Sequence, residues 1–109
     1  MNDTGKRVVI TGAGSGLGRE LALRYAREGA RLVLADIQEE GLRETLELVE
    51  QLGSWALTQR CDVRDFSQLA ALAQTCTERL GGVDILINNA GVASGGLFWD
   101  LSLETGTGN

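Results

Sequence analysis

Short apolar runs alternate along this chain with longer stretches in which apolar residues recur every three or four positions. Lys6–Thr11 (K-R-V-V-I-T) and Arg31–Asp36 (R-L-V-L-A-D) are typical of buried β-strands, because they are short and rich in branched aliphatic residues. Trp55–Cys61 and Val83–Asn88 predict a third and a fourth strand of the same kind. The pattern therefore predicts four strands separated by helices.

Three amphipathic helices are predicted between these strands. The first begins at Leu17 and ends at Gly29, and the second ends at Gly53 although Gly41 within it costs roughly 1 kcal/mol. The third follows Asp65 and Gln68, which form a capping-box pattern, and ends at Gly81-Gly82. Their apolar positions are Leu17, Leu21, Ala22, Tyr25 and Ala26; Leu42, Leu46, Val49 and Leu52; and Phe66, Leu69, Ala70, Ala73 and Leu80. Strands that alternate with helices predict an α/β fold, a parallel sheet covered by helices on both faces.

A glycine-rich loop joins the first strand to the first helix. Thr11–Gly18 reads T-G-A-G-S-G-L-G, and glycines allow a tight turn and a close approach of the backbone to a ligand. The helix that follows offers free N–H groups to a diphosphate. A tight turn without a ligand is the alternative. The strict G-x-G-x-x-G fingerprint is missing, because Leu17 and Arg19 stand where its last glycine could fall.

Two further motifs follow the third and fourth strands, Asp62-Val63 and Asn88-Asn89-Ala90-Gly91. With these motifs and the glycine loop, the chain resembles the short-chain dehydrogenase/reductase family, whose motifs are T-G-x-x-x-G-x-G and N-N-A-G. The resemblance extends from about Lys6 to Glu104. The resemblance implies a Rossmann-type dinucleotide-binding segment over residues 1–104. The residues expected to bind the cofactor are Thr11, Gly12, Gly14, Ser15, Gly16, Leu17, Gly18, Asp36, Ile37, Asp62, Val63, Asn89, Ala90 and Gly91.

The resemblance also implies a role for each motif. The loop glycines would bind the diphosphate, Asp62 would accept from the adenine amino group beside the Val63 backbone, and Asn89-Ala90-Gly91 would line the adenosine side and brace the fourth strand through Thr11. A plain turn at the end of that strand is compatible with this role. The expected fold is a partial doubly wound parallel sheet of strand order 3-2-1-4, with the cofactor at the point where the order reverses.

Asp36 decides the expected choice of cofactor. It ends the second strand, and a carboxylate there can accept from both ribose hydroxyls but repels a 2′-phosphate. Ser15 and Ile37 stand where relatives that prefer the phosphate tend to carry a base. We therefore expect NAD to be preferred over NADP. The alternative is that Asp36 only caps the second helix, with Glu39 completing a capping box.

Composition excludes several other classes. The chain has no histidine and only two cysteines, Cys61 and Cys76, so we expect no metal site and two reduced, buried thiols. A net charge of −5 argues against a nucleic-acid partner. The longest apolar run, Leu69–Ala73, is far shorter than the ~20 residues that cross a bilayer, and no signal sequence opens the chain. A cytoplasmic protein without a membrane partner is expected.

Catalysis in this family requires Tyr-x-x-x-Lys, which these residues lack. The one tyrosine, Tyr25, lies in the first helix, and the one lysine is Lys6. We therefore expect no catalytic residue here, an absent catalytic half, and a flexible or unrelated tail at residues 105–109. Ser94–Trp99 could line the mouth of a substrate site or pack under another domain, and the substrate is not indicated.

The predicted function is the cofactor-binding part of an NAD(P)-dependent oxidoreductase acting on small alcohols or carbonyls. The alternative is a non-catalytic nucleotide-binding or interaction module that self-associates through the open edge of its fourth strand, at Ile85 and Ile87. The Asn88–Gly91 motif and the loop spacing argue against a methyltransferase that uses S-adenosylmethionine.

Overall fold

The computed structural model describes residues 4–90, in which strands and helices alternate. The elements are β1 (Arg7–Thr11), α1 (Gly16–Arg27), β2 (Arg31–Asp36), α2 (Glu39–Gln51), β3 (Ala56–Arg60), α3 (Phe66–Thr75) and β4 (Ile85–Asn88). A π-helical turn, Cys76–Leu80, extends α3. The predicted Gly91, the Ser94–Trp99 segment and the 105–109 tail lie outside the described residues.

The four strands form one parallel sheet in the order β3-β2-β1-β4, which confirms the predicted order 3-2-1-4. Val9 pairs with Val33 of β2 on one side and with Leu86 of β4 on the other. The order reverses between β1 and β4, so a crevice opens there at the carboxyl ends of the strands. Among residues 4–90, β4 pairs only with β1 and forms one edge of the sheet.

Helices cover both faces of the sheet, as predicted, because successive strand residues point to opposite sides. Val8 and Ile10 pack with the buried residues of α1 and α2, whereas Val9 packs with those of α3 and the π-helical turn. Ile85 and Ile87 are half-buried and pack against the cluster on the α1 and α2 side of the sheet. Each helix found in residues 4–90 is too short or too polar to span a bilayer.

The third helix differs most from its prediction. We expected one regular helix as far as Gly81-Gly82, but α3 changes to π-helical geometry at Cys76 and ends at Gly81, which has a φ of +79°. Thr75 and Thr77 donate their hydroxyls to backbone carbonyls four residues earlier. Such bonds compete with the helical hydrogen bonds and favour a local change of winding.

Other boundaries shift by one or two residues. The β1, β3 and β4 strands are shorter than predicted, and α1 begins at Gly16 instead of Leu17. The Asp65 carboxylate caps α3 by accepting from the N–H groups of Ser67 and Gln68. The second hydrogen bond of the predicted capping box, from the Asp65 N–H to the Gln68 side chain, is wrong. The Gln68 side-chain oxygen accepts from the backbone N–H of Asp62 instead. Gln68 therefore ties α3 to the end of β3.

A salt bridge holds the amino-terminal end of the β1–β4 pair. The Arg7 guanidinium donates two bonds of 3.0 Å to the Asp84 carboxylate and one to the Gly81 carbonyl. The Arg7 backbone N–H also donates to Asp84, at 2.8 Å. These bonds hold the pKa of Asp84 down at about 2. This end of the sheet lies opposite the crevice, so the pair supports the fold and not the site.

Candidate functional site

A groove of about 280 Å³ opens at the carboxyl ends of the strands. Its walls come from the segments that follow all four strands, and six of the predicted site residues lie among them. The groove is lined by Gly12, Asp36, Ile37, Cys61, Asp62, Val63, Arg64 and Ala90. Residues that are distant in sequence thus meet at the place where doubly wound sheets bind their ligands.

The glycine loop forms one wall of this groove. Gly12 and Gly16 have φ values of +69° and +53°, a conformation that favours glycine. Gly18 packs directly against the Gly12 carbonyl, and any Cβ there would overlap that oxygen. At Gly16 the space that a Cβ would occupy is open, with no atom within 4 Å. The loop is therefore folded tightly on itself and open on its outer side.

The open side of the loop coincides with the amino terminus of α1. Ser15 is the N-cap residue, but its side chain makes no capping hydrogen bond, and the first turn carries no acidic residue. The predicted Leu17 is 65% exposed. The first N–H groups of α1 are thus not satisfied by a side-chain cap, and together with the helix dipole they favour an anion at this point.

Asp36 reaches from the end of β2 to the glycine loop. One carboxylate oxygen accepts from the Gly14 N–H at 2.8 Å, and the other accepts from the Gln38 N–H at 3.0 Å. The alternative that Asp36 is the N-cap of α2, with Glu39 completing a capping box, is wrong, because Gln38 is the N-cap residue and its side chain makes no capping hydrogen bond. Each oxygen of Asp36 keeps one lone pair, so the carboxylate can still accept from two ligand hydroxyls.

The α2 helix holds the loop from behind, a contact that was not predicted. Arg19 of α1 links the loop to α2: it donates to the Gly14 carbonyl at 2.6 Å and, through its Nε, to the hydroxyl of Thr45 in α2 at 2.9 Å. Thr45 is fully buried and lies 2.9 Å from the Ala13 carbonyl, to which its hydroxyl donates. A Cβ on Gly41 would stand 2.5 Å from the Gly14 carbonyl oxygen. Gly41, which was predicted only to lower the stability of α2, allows this helix to contact the loop.

Asp62 and Val63 follow β3 at the far end of the groove. The Arg64 guanidinium donates to both carboxylate oxygens of Asp62, at 3.0 Å each, and the Arg64 N–H donates to one of them. These hydrogen bonds hold the pKa of the Asp62 carboxyl below its usual range. Sequence reasoning identified no base near Asp36, whereas the structure places Arg64 in the same groove. Its position in the turn after β3 was the signal that could have suggested it.

The end of β4 closes the other side. The Thr11 hydroxyl donates to the Asn88 side-chain oxygen at 3.0 Å and accepts from the Ala90 N–H at 3.1 Å. The Asn89 amide donates to the Gly12 carbonyl at 3.2 Å. Asn88 and Asn89 thus brace β4 and the glycine loop against each other, and Ala90 is left to line the groove.

The two cysteines are free and buried. Burial, together with the carboxylates of Asp62 and Asp65, raises the pKa of the Cys61 thiol to about 11. Burial, with a contribution from Cys61, raises that of Cys76 to about 12. Both thiols are therefore protonated at neutral pH. Residues 4–90 contain no cluster of three or more potential metal ligands.

The chain is similar in sequence to a known protein family and to characterised members of it. Residues 6–107 match the family model described as short chain dehydrogenase. The chain is 44% identical over 87 residues to 7alpha-hydroxysteroid dehydrogenase of Escherichia coli strain K12, a match covering 80% of this chain and 34% of that enzyme. The matched part is thus about one third of this relative.

Solved structures agree with the sequence matches. A short chain dehydrogenase/reductase from Burkholderia phymatum, in complex with NAD, superimposes with a TM-score of 0.80 at 33% identity, over 96% of this chain and 44% of that one. Carveol dehydrogenase from Mycobacterium avium, also in complex with NAD, gives 0.76 at 34% identity, over 90% and 43%. The fold, the three motifs in register and these matches lead to one conclusion: the chain belongs to the short-chain dehydrogenase family.

Proposed function

We propose that this chain is the cofactor-binding part of an oxidoreductase that uses NAD to interconvert alcohols and carbonyls. The observation that carries the proposal is the convergence of the glycine loop, Asp36 and Asp62 on one groove at the carboxyl ends of the strands. Two similar solved structures are complexes with NAD. The chain spans about one third of the E. coli relative, so activity and substrate belong to the proposal and not to these residues alone.

The groove and the start of α1 beside it would together contact a dinucleotide in three places. The uncapped N–H groups at the start of α1 and the open side of Gly16 would receive the diphosphate. Asp36 would accept from the hydroxyls of the adenosine ribose, and the Asp62-Val63 turn would bind the adenine. When bound, the nicotinamide supplies the hydride chemistry. The 109 residues contain no Tyr-x-x-x-Lys, so we propose that they bind the cofactor without turning over a substrate.

The choice of NAD over NADP rests on Asp36. Its carboxylate already accepts two backbone N–H groups and can accept two hydroxyls more, but a 2′-phosphate in the same place would set like charges against each other. Arg64, the base in this groove, is committed to Asp62. We therefore expect NAD to bind at least about tenfold more tightly than NADP, because a phosphate placed against the half-buried Asp36 carboxylate opposes two like charges.

Calorimetric titration of the full chain with both dinucleotides tests this choice. Asp36→Asn should weaken NAD and bring the two affinities together, because it removes the charge. Glu39→Gln removes the same charge from an exposed position of α2 outside this groove, and it should leave the ratio unchanged. Binding of NADP tenfold tighter than NAD to the unaltered chain would overturn the proposed preference.

We further propose that the chain self-associates through the edge of β4 and acts in the cytoplasm. Within residues 4–90, β4 has no strand beyond it, which supports the first point, and two free, buried cysteines support the second. Sedimentation with and without NAD separates this association from cofactor binding. A chain that stays monomeric at all concentrations would contradict the proposed self-association and would not bear on the proposed cofactor site.

A further inference from the structure

The Asp62 carboxylate is almost saturated with hydrogen bonds before any ligand arrives. Oδ1 accepts from both the backbone N–H and the Nε of Arg64, and Oδ2 accepts from Nη2 of the same arginine. A carboxylate has about four acceptor positions. Three are used by Arg64, so one position remains, on Oδ2.

The backbone of Asp62 is held as firmly as its side chain. Its N–H donates to the Gln68 side-chain oxygen at 2.9 Å, and its carbonyl accepts from the Asp65 N–H at 2.9 Å. Gln68 is itself bound to the carboxylate of Asp65. The turn after β3 therefore fixes the main chain of Asp62, and Arg64 then determines where its last acceptor position points.

The two side chains of the ion pair differ in exposure, and Asp62 is the less exposed of the two. The Asp62 side chain is 21% exposed and the Arg64 side chain 69% exposed, and both residues line the groove. Asp36 contributes a second carboxylate to the same groove, and a dinucleotide is an anion. The guanidinium thus offsets a repulsion that two unpaired carboxylates would exert on such a ligand.

On the basis of the proposed function, we propose that Arg64 is a positioning residue that sets the base specificity of the groove. It holds the Asp62 carboxylate so that a single acceptor position on Oδ2 is presented to the base. That position is satisfied by an exocyclic amino group, which donates, and is opposed by an exocyclic oxygen, which only accepts. The site therefore prefers a 6-aminopurine over a 6-oxopurine, and removal of Arg64 weakens this preference.

The test compares NAD with nicotinamide hypoxanthine dinucleotide, which differs from NAD in carrying a 6-oxo group on its purine. Both are titrated into the full chain at low salt. The unaltered chain should bind NAD about tenfold more tightly, because an unpaired acceptor facing the wrong group is costly. Arg64→Ala should weaken NAD by about three- to fivefold, the scale of an exposed ion pair, and lower the ratio of the two affinities by at least about threefold.

Arg64→Lys separates geometry from charge. Lysine keeps the positive charge but lacks the planar fork that engages both oxygens. Its NAD affinity should stay within about twofold of the unaltered chain, whereas the preference over the hypoxanthine dinucleotide should still fall. Arg43→Ala, an exposed arginine of α2 outside this groove, is the matched control and should change neither quantity.

Two results would overturn the proposal. An unchanged ratio in both Arg64 variants would show that the arginine does not orient Asp62, and tighter binding of NAD to Arg64→Ala would show that it blocks the site. Asp62→Ala distinguishes these results from a failure of the proposed function. If that variant lowers the ratio while the Arg64 variants do not, only the role of Arg64 is wrong. If it leaves NAD affinity and the ratio unchanged, the adenine site itself is wrong, and the role of Arg64 with it.

Discussion

Gly41 of α2 lies so close to Gly14 of the glycine loop that a methyl group on Gly41 would stand 2.5 Å from the Gly14 carbonyl oxygen. The same carbonyl accepts from Arg19, and the Gly14 N–H donates to Asp36. Both backbone polar groups of Gly14 are thus fixed by side chains, and the position of this residue depends on the absence of a side chain at Gly41. The shape of the proposed diphosphate site is set partly by a helix that does not line it.

Gly41→Ala should therefore weaken NAD binding even though alanine suits a helix better. The propensity gain of up to ~1 kcal/mol is outweighed by the overlap with Gly14, so we expect a net loss of stability of about 1–2 kcal/mol. NAD affinity should fall by about tenfold as the loop shifts. Urea denaturation and calorimetry measure the two effects. Glu40→Ala, on the exposed side of the same helix, should lower neither the stability nor the NAD affinity. A Gly41→Ala chain that binds NAD with unchanged affinity would contradict the proposed effect of this contact on the loop.

Thr45→Val should destabilise the protein although valine has the same shape. Thr45 is fully buried, and the substitution removes the hydroxyl that the Ala13 carbonyl and the Arg19 Nε contact. Unsatisfied buried groups of this kind cost about 1–3 kcal/mol. Thr45→Ser keeps the hydroxyl and should recover most of the polar contribution. Equal stability of the valine and serine variants by urea denaturation would contradict this role.

Acid should weaken the protein through Asp84. Its pKa is lowered to about 2 in the folded chain by hydrogen bonds from Arg7, against an ordinary value of 3.8. A lowered folded pKa means that the contribution is fully present above about pH 4 and is lost as the pH falls towards 2. Asp84→Asn should be less stable at pH 5, and its difference from the unaltered chain should shrink by pH 2. Urea denaturation at several pH values measures this, and a constant difference would contradict it.

The two thiols should be unreactive in the folded protein. Burial raises the pKa of Cys61 from 9.0 to about 11, so its thiolate fraction at pH 8 falls by about a hundredfold. Alkylation by iodoacetamide should slow by at least that factor compared with the chain in urea. Cys61→Ser leaves Cys76 to be measured alone. Because the pKa values of both thiols are raised in the folded chain, their contribution to the free energy of unfolding should be fully present below about pH 9 and should be lost as the pH rises above it. Native alkylation at the unfolded rate would contradict this burial.

Sequence periodicity predicted most of the fold because the two signals that it uses are local. The strand runs around Val9, Val33 and Leu86 and the helical spacing from Leu21 to Ala26 are each visible within a dozen residues. The π-helical turn was missed, because a change of winding follows from particular hydroxyl-to-carbonyl bonds, such as that of Thr77 to Ala73, and not from the apolar pattern.

The candidate site was predicted unevenly for a similar reason. Gly12, Asp36 and Asp62 stand at the ends of predicted strands, where a parallel sheet brings them to one edge. The contact between Gly14 and Gly41 joins residues 27 positions apart on different elements, and no local pattern indicates it. Arg64 is only two residues from Asp62, but its direction depends on the turn that Gln68 and Asp65 fix.

The pairing of β1 with β4 has a consequence for the order in which the molecule is built. Thr11 with Asn88, Gly12 with Asn89 and Arg7 with Asp84 are all separated by 77 positions along the chain. Closing so long a loop is slow compared with forming a helix or a neighbouring strand–helix–strand unit. A growing polypeptide therefore cannot complete the proposed nucleotide groove until β4 has emerged and docked. Nucleotide that binds only the finished groove would then draw the folding equilibrium towards the native state.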